Sequence, residues 1–182
     1  VWLSFTEFKV VNDSKWVGLA NYIRIFTEDK TFINSLRLTV KFTVVSVITI
    51  NILAFLLALL LTRGLKGTNA FRTVFFMPNL IGGIVLGHIW SLIINGVLGF
   101  FGVDITYDPN YGFWGLVILM HWQMIGYMMI IYIAGIQNIP GDIIEAAKVD
   151  GANSVTTLFR IIIPSVMPSV TICLFLTITN SF

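Results

Sequence analysis

The sequence predicts an all-α, polytopic integral membrane protein, and three observations lead to that fold class. Hydrophobic residues make up 57% of the 182 residues. Charged residues make up only 11%, against roughly 25% in an ordinary soluble domain. The charges also leave four long uncharged stretches, each of which can supply the roughly 20 apolar residues that a membrane-spanning helix needs. The chain, residues 1–182, is therefore predicted to be a single transmembrane domain.

Four membrane-spanning helices are predicted at the uncharged stretches, at about residues 42–62, 73–103, 112–136 and 161–182. The first stretch is apolar on every face, so only its length separates it from a buried helix of a soluble protein. In the second stretch, Pro78 followed by several glycines predicts a kinked or tilted span.

Residues 1–41 carry half of the charges and are predicted to be a mainly aqueous, extracytoplasmic segment. Their apolar start, VWLSFTEF, is predicted to be the end of a preceding span. The chain starts at Val1 rather than at Met and stops at Phe182 within an apolar run. We therefore expect it to be a piece of a longer protein.

The orientation of the spans is predicted from the short loops between them. Residues 63–72 contain three basic side chains and no acidic one, which is typical of a cytoplasmic loop. Alternation then places 104–111 outside and 139–160 inside. The basic residues of 1–41 oppose this orientation, because they outnumber those of the two inside loops together.

Composition excludes several classes of site. The single cysteine, Cys173, allows no internal disulfide, and His88 and His121 are too far apart to supply a local zinc motif. No metal and no cofactor are predicted. With a net charge of +2 and no basic cluster, the chain lacks the charged surface typical of nucleic-acid-binding proteins. The partner expected from the apolar composition is the lipid bilayer.

The stretch between the third and fourth spans, residues 139–164, has the signals of ordered structure. Asp142 followed by Glu145 has the spacing of a capping box and predicts a short helix from about Ile143 to Val149. Gly151 predicts that this helix ends in the left-handed conformation. The stretch should therefore form a helix-turn-helix elbow.

The side chains of the elbow predict a docking surface. Ile143, Ala146 and Ala147 share a face at helical spacing, and the two alanines would let a partner approach closely. Ser154 is expected to cap the second helix. The alternative is an amphipathic helix resting on the bilayer, but Lys148 alone does not supply the basic face that such helices show.

The elbow also has a characteristic spacing of residues along the chain: Glu145, Ala146, Ala147, then Gly151, then Ile161, Ile163 and Pro164. This pattern resembles the EAA loop of the membrane-spanning permease subunits of bacterial ABC importers. The one departure is Ile163, where the family usually has leucine. The fuller EAAKVDGA, with FRTVFFMPNLIGGIVLGHIW (71–90) and WVGLANY (16–22), resembles the carbohydrate-uptake, maltose-type branch.

The resemblance implies a helical permease bundle in a bacterial plasma membrane, with the elbow as a cytoplasmic coupling helix. It implies a second homologous permease subunit, an ATP-binding subunit dimer and an extracytoplasmic sugar-binding protein as partners. The residues that would dock on the ATPase are Glu145, Ala146, Ala147, Asp150, Gly151 and Ala152. The chain has no G-x-x-x-x-G-K-[ST] phosphate loop, so we predict that it is not itself an enzyme.

The spans contain no Asp, Glu, Lys or Arg in their interiors, which favours a neutral polar cargo such as a sugar. Two pairs at i, i+4 spacing flank the elbow and are candidate path residues: Gln123 with Tyr127, and Thr177 with Ser181. The alternative is that these polar side chains hold the helices together.

Other functions stay open at this point. The nearest is an ABC importer for another small solute, such as a polyol, glycerol phosphate or an amino acid. A channel or a carrier outside the ABC class is disfavoured by the ordered elbow. A membrane-embedded enzyme would need a cluster of catalytic groups, for which Asp104 and Asp108 are too sparse.

Overall fold

The structure, a computed structural model, describes residues 1–8, 14–64, 66–102 and 109–182. Helices dominate it, so the all-α prediction is confirmed apart from one small hairpin. The chain divides into two compact units, 1–41 and 42–182. Asp104 and Asp108 lie outside the described residues, as does most of the predicted outer loop 104–111.

The first unit contains the hairpin. A 3-10 turn at Trp2–Phe5 leads into β1 (Thr6–Phe8), which pairs antiparallel with β2 (Ser14–Trp16), and α1 (Ala20–Thr27) follows. The Trp16 ring lies 5.0 Å from the ring of Trp2 and 5.5 Å from that of Phe5. The apolar start of the chain therefore forms a 3-10 turn and a strand.

The helix α2 (Lys30–Leu61) is longer than its uncharged stretch. It has 32 residues and begins well before residue 42, where the first span was predicted to start. Its early start has a local cause, because the backbone N–H of Phe32 donates to Asp29 Oδ1 at 3.0 Å, as at a capped helix start. The predicted bounds 42–62 thus describe only the apolar part of this helix.

The second uncharged stretch forms two helices with a sharp bend between them. α3 (Thr68–Phe76) and a 3-10 turn at Met77–Leu80 are followed by α4 (Gly83–Gly99), and the two arms differ in direction by 98°. Pro78 removes a backbone donor, and Gly82 takes an extended conformation that ends the first arm. The predicted kink is confirmed, but α3 begins inside the stretch 63–72 that was predicted to be a loop.

The helix α5 (Pro109–Gln137) packs closely against two neighbours through glycines. A Cβ atom on Gly126 would overlap the backbone carbonyl of Phe75 in α3. A Cβ atom on Gly135 would overlap the side chain of Ser169 near the chain's last helix. Small residues of this kind let membrane helices approach at backbone distance.

The last part of the chain is a series of short helices and one longer helix. They are α6 (Gly141–Val149), α7 (Ser154–Thr157), a π-turn at Leu158–Ile162, α8 (Ile163–Ser165) and α9 (Met167–Ser181). The segments 154–165 and 167–181 differ in direction by 66°. Pro164 and Pro168 lack the N–H that regular helical bonding needs, which fits a π-turn and a bend at this place.

The core of the second unit lies between α2, α5 and α9. On α2 it contains Ile50 with Ala54 and Ala58, which are fully buried and small enough to bring the helices together. On α5 it contains a stripe of methionines, Met120, Met124 and Met128, which are buried side chains that fill the core.

Candidate functional site in the elbow and the helix bundle

The elbow helix α6 starts without the predicted capping box. Its N-cap residue is Pro140, and among the described residues no side chain caps this helix. Asp142 lies inside the first turn, where its charge favours the positive end of the helix dipole. The capping role predicted for Asp142 with Glu145 is therefore wrong, because the helix begins two residues earlier, at Gly141 with Pro140 as its N-cap.

The elbow helix ends in a Schellman motif. Gly151 has φ +77°, in the left-handed region, as predicted. Its N–H donates to the Lys148 carbonyl at 3.1 Å, and the N–H of Ala152 donates to the Ala147 carbonyl at 2.9 Å. Glycine accepts this backbone conformation without the steric cost that a Cβ would bring. The end of α6 is therefore fixed by backbone geometry.

The second helix of the elbow is capped by Asn153 instead of Ser154. The N–H of Thr156 donates to Asn153 Oδ1 at 2.8 Å. Asn153 is extended, as N-cap residues are, while Ser154 is already helical. Asn153 and Ser154 are both residue types that cap helices, and the predicted cap lies one residue too late.

The outward face of α6 differs from the predicted one at one position. Ala147 is only 8% exposed and is buried against its own chain, whereas Val149 is 87% exposed. Ile143 and Ala146 are also exposed. The expectation that Ala147 shares an exposed face with Ile143 and Ala146 is therefore wrong, because Ala147 lies beside the segment that follows α6, where it lines a pocket with Thr156 and Arg160.

The exposed side chains of α6 are Asp142, Ile143, Glu145, Ala146, Lys148, Val149 and Asp150. We define the outward face of α6 as these residues without Lys148, which is exposed on the other side of the helix, next to Ile144. This face carries three carboxylates beside small and apolar groups. Gly151 is exposed directly after it, and Ala152 is half-buried. Of the predicted docking residues, Glu145, Ala146, Asp150 and Gly151 are thus accessible to a partner.

A polar network ties the three core helices together. Tyr132 Oη on α5 donates to Asn51 Oδ1 on α2 at 2.8 Å. Asn51 Nδ2 donates to Thr177 Oγ1 on α9 at 3.3 Å, and Thr177 Oγ1 donates to the carbonyl of Cys173 at 2.7 Å. Every polar atom of these side chains has a partner inside the protein, so the network stabilises the packing of the helices.

Two further polar contacts join α2 to its neighbours. Thr43 Oγ1 donates to the Ser181 carbonyl at 3.2 Å. Thr49 Oγ1 is hydrogen-bonded to Nε2 of His121, whose Nδ1 lies 2.6 Å from the Val117 carbonyl. Both contacts lie along the same helix as Asn51, so α2 is joined to α5 and α9 at several levels.

The structure separates the four candidate path residues into two pairs. Thr177 is fully buried, and Ser181 is buried with its hydroxyl donating to the Ile178 carbonyl. Their surroundings favour the alternative, in which polar side chains hold helices together. Gln123 and Tyr127 are only partly buried, on a side of α5 between exposed Leu116 and Ile130.

Tyr132, Gly126 and Gly135 were not singled out by the sequence. Tyr132 lies in a uniformly apolar helix, so no periodic signal distinguished it from Tyr127. The glycines lie in close contacts whose partners are distant along the chain. Among the described residues no group of three or more His, Cys, Asp or Glu side chains could hold a metal ion.

In the part of the chain that the structure describes, two helices are long and apolar enough to cross a membrane, and up to four spans result if each bent pair counts as one. With the elbow between them, these helices make up a polytopic helical membrane protein. The chain belongs to the family of binding-protein-dependent transport system inner membrane components, whose family model matches residues 50–182. The family name places such chains in an inner membrane.

Two relatives extend this similarity. The chain is 42% identical over its whole length to the probable starch degradation products transport system permease protein AmyD of Thermoanaerobacterium thermosulfurigenes, and it covers 65% of that protein. It is 32% identical over 86% of its length to the sn-glycerol-3-phosphate transport system permease protein UgpA of Agrobacterium fabrum, covering 56% of it. The chain thus spans less than two thirds of either relative.

One solved structure has the same fold. It is the crystal structure of a bacterial alginate ABC transporter in complex with an alginate pentasaccharide-bound periplasmic protein. The match has a TM-score of 0.72 at 24% identity and covers 88% of this chain and 59% of that chain. At this identity, the similarity establishes the helical fold.

Proposed function

We propose that the chain is the membrane-spanning subunit of an ATP-driven importer and forms the translocation path for a sugar. The observation that carries the proposal is the 42% identity over the whole chain to a permease of a transport system for starch degradation products. The elbow, whose outward face is exposed while the end of its helix is held by the Schellman motif, supports a role in coupling.

The proposed cargo is a neutral sugar. The uncharged stretches 42–62, 73–102, 109–137 and 161–182 contain no Asp, Glu, Lys or Arg, which suits a cargo bound by hydroxyls, amides and aromatic faces. A second candidate is a glycerol phosphate importer, which the 32% identity to UgpA favours. A phosphate ester would call for basic groups along the path, from this chain or from a partner.

The path proposal rests on Gln123 and Tyr127. Both are partly exposed on α5, and the Tyr127 ring lies 6.3 Å from that of Phe76. In the part of the chain that the structure describes, the Gln123 amide has no hydrogen-bond partner. It is therefore free to bind a hydroxyl of the cargo. Thr177 and Ser181 would then not contact the cargo, and would contribute to the path only by holding the helices together.

The proposed coupling runs through the outward face of α6. ATP hydrolysis would take place on a separate ATP-binding subunit dimer, in a cleft of which α6 would dock through Glu145, Ala146 and Asp150. Gly151 and Ala152 hold the end of the helix in the Schellman motif, and Ala147 is buried beside the segment that follows. A movement of α6 caused by the ATPase would thereby be transmitted to α7 and the last helix.

The remaining partners and the topology are part of the same proposal. A second homologous permease would complete the path, and an extracytoplasmic sugar-binding protein would deliver the cargo. Residues 63–72 and 139–160 would lie on the cytoplasmic side, with 104–111 outside. The setting would be a bacterial plasma membrane, in agreement with the name of the family.

Bulk added to the outward face of α6 tests the coupling. Ala146→Trp in the intact transporter should reduce co-purification of the ATP-binding subunit and sugar-stimulated ATP hydrolysis about tenfold or more, because an indole cannot fit where a methyl group docks. Val155→Trp is the matched control, since Val155 is exposed on α7, outside the outward face. It should leave both readouts unchanged.

Two outcomes contradict the proposal. If the intact chain co-purifies with no ATP-binding subunit, the importer assignment is wrong. If Ala146→Trp keeps normal coupling in a complex that contains the ATPase, the ATPase binds elsewhere and the docking role of α6 is wrong.

A further inference from the structure

A cavity of about 610 Å³ lies on the side of α6 that faces the bundle. Four parts of the chain form its walls: the end of α2, the end of α5, α6 itself, and α7 with the π-turn that follows. The cavity is thus separate from the outward face of α6. The proposed function assigns it no role.

The cavity is positively charged. Arg63 from the end of α2 and Lys148 from α6 both line it, and none of its lining residues is acidic. Within the described ranges, neither side chain forms an ion pair. Two cations from separate elements therefore meet at one cavity without a compensating carboxylate, an arrangement that favours an anionic ligand.

The walls of the cavity combine polar and apolar residues. Of the apolar ones, Leu59 comes from α2, Ile136 from α5, and Leu158 and Ile162 from the π-turn. A small hydrated anion would use the polar residues and leave these apolar residues without a partner. A ligand that joins an anionic group to hydrocarbon would use both the cations and the apolar walls.

The place of the cavity along the helices gives the second argument. Arg63 directly follows the uncharged stretch 42–62, and α5 reaches the cavity with Ile136 and Gln137, its last residues. Both helices are candidate membrane spans. A basic residue directly after an apolar span lies at the level of the lipid headgroups.

We propose that this cavity binds an anionic phospholipid, with its phosphate between Arg63 and Lys148 and its first acyl carbons along Leu59 and Ile162. The shared chemistry is a phosphate group, which could also come from free inorganic phosphate; the apolar walls favour the lipid. A bound lipid would brace α6 against the end of α2. The inference rests on membrane insertion alone and is independent of the cargo.

A lipid titration tests the proposal. The intact purified transporter, freed of lipid in detergent, is titrated with phosphatidylglycerol, with phosphatidylcholine or with inorganic phosphate, and bound molecules are counted by native mass spectrometry. Phosphatidylglycerol should bind saturably and about tenfold or more tightly than phosphatidylcholine. Inorganic phosphate at the same concentration should not displace it.

Charge removal identifies the site. Arg63→Gln combined with Lys148→Gln should weaken phosphatidylglycerol binding about thirtyfold, and Arg63→Gln alone about fivefold. The matched control, Lys66→Gln combined with Arg160→Gln, removes the same charge from two exposed residues outside this cavity and should change little. If the double variant does not assemble, the single variant decides.

The proposal is overturned if both lipids bind equally, or if the control pair weakens binding as much as the cavity pair. It is also overturned if inorganic phosphate competes as well as the lipid, which would indicate a site for a free anion. Lipid binding is measured without sugar or ATP. A negative result therefore leaves the proposed transport function standing, and a failure of the transport function leaves the lipid site standing.

Discussion

The bundle core and the elbow are stabilised in different ways. In the core, α2, α5 and α9 meet through buried alanines and glycines and through the hydrogen bonds among Asn51, Tyr132 and Thr177. In the elbow, α6 has no side-chain cap at its start and ends in the backbone hydrogen bonds of the Schellman motif, and only Ala147 of this short helix is buried.

The difference predicts how the two regions respond to change. A core position has a partner on another helix within contact distance, so a substitution there disturbs the fold itself. Most side chains of α6 face away from the chain, so substitutions there should leave the fold intact and disturb a partner. We therefore expect substitutions in the core to lower stability and substitutions on α6 to lower function.

The largest expected effect is that of Gly126→Ala in the core. The new Cβ would overlap the carbonyl of Phe75, and a backbone cannot yield as a flexible side chain can. We expect the free energy of unfolding to fall by more than about 2 kcal/mol, with lower yield of the folded protein. Thermal unfolding in detergent, followed by size-exclusion chromatography, measures this.

The matched control is Gly87→Ala on α4, where a Cβ would meet nothing within 4 Å. It should cause no loss, since alanine is the better helix former. Equal unfolding temperatures for the two variants would show that α3 does not pack on α5 at backbone distance near Gly126.

A smaller effect is expected for Thr177→Val, which keeps the shape of the side chain and removes its hydroxyl. Because Asn51 Nδ2 loses an acceptor in a buried place, we expect a loss of about 1 kcal/mol in stability. Uptake per assembled complex should keep its half-saturating sugar concentration. Unfolding midpoints together with a sugar concentration series give both quantities.

Gln123→Ala should show the opposite pattern, with stability within about 0.5 kcal/mol of the parent and a half-saturating concentration about tenfold higher. If Thr177→Val instead changes the half-saturating sugar concentration and leaves stability unchanged, the Thr177 hydroxyl contacts the cargo. Thr177 would then be accessible to the cargo in the assembled transporter.

For Gly151→Ala in the elbow, we expect a loss of stability no larger than that of Thr177→Val. An alanine at φ +77° costs about 1 kcal/mol, and no neighbour lies within 4 Å of the new Cβ. The bundle should stay folded, while sugar-stimulated ATP hydrolysis falls because the end of α6 shifts.

Gly141→Ala is the control for the glycine itself, since Gly141 also has open space but lacks the left-handed conformation. Its unfolding midpoint and its ATP hydrolysis should equal those of the parent. If Gly151→Ala is equally silent in both measurements, the Schellman motif has no part in coupling.

Much of the elbow could be predicted from local sequence. Gly151 in the left-handed conformation and a short helix before it follow from residues within a few positions of each other. The errors were local too: the caps were assigned to Asp142 and Ser154, whereas the structure has Pro140 and Asn153 at these places. The N-cap is the residue whose backbone is extended just before the helix. The residue types near a helix start do not by themselves show which residue has that conformation.

The contacts of the core could not be predicted in the same way. Ala147 was expected on an exposed face because spacing gives the face of a helix without saying which side the rest of the chain covers. Thr177 was a candidate for the path for the same reason, until Asn51 was found next to it from a helix 126 positions earlier in the chain.

By itself the sequence determined that this protein is helical and lies in a membrane, and it located the elbow and the residue that ends its helix. Those features depend on hydrophobicity and on backbone preferences, which are properties of short segments. The tertiary structure alone decided which polar side chains are satisfied inside the bundle, which glycines are contact points, and that Arg63 and Lys148 line one cavity. Each of these depends on segments that are distant in the chain, and their proximity follows from helix packing.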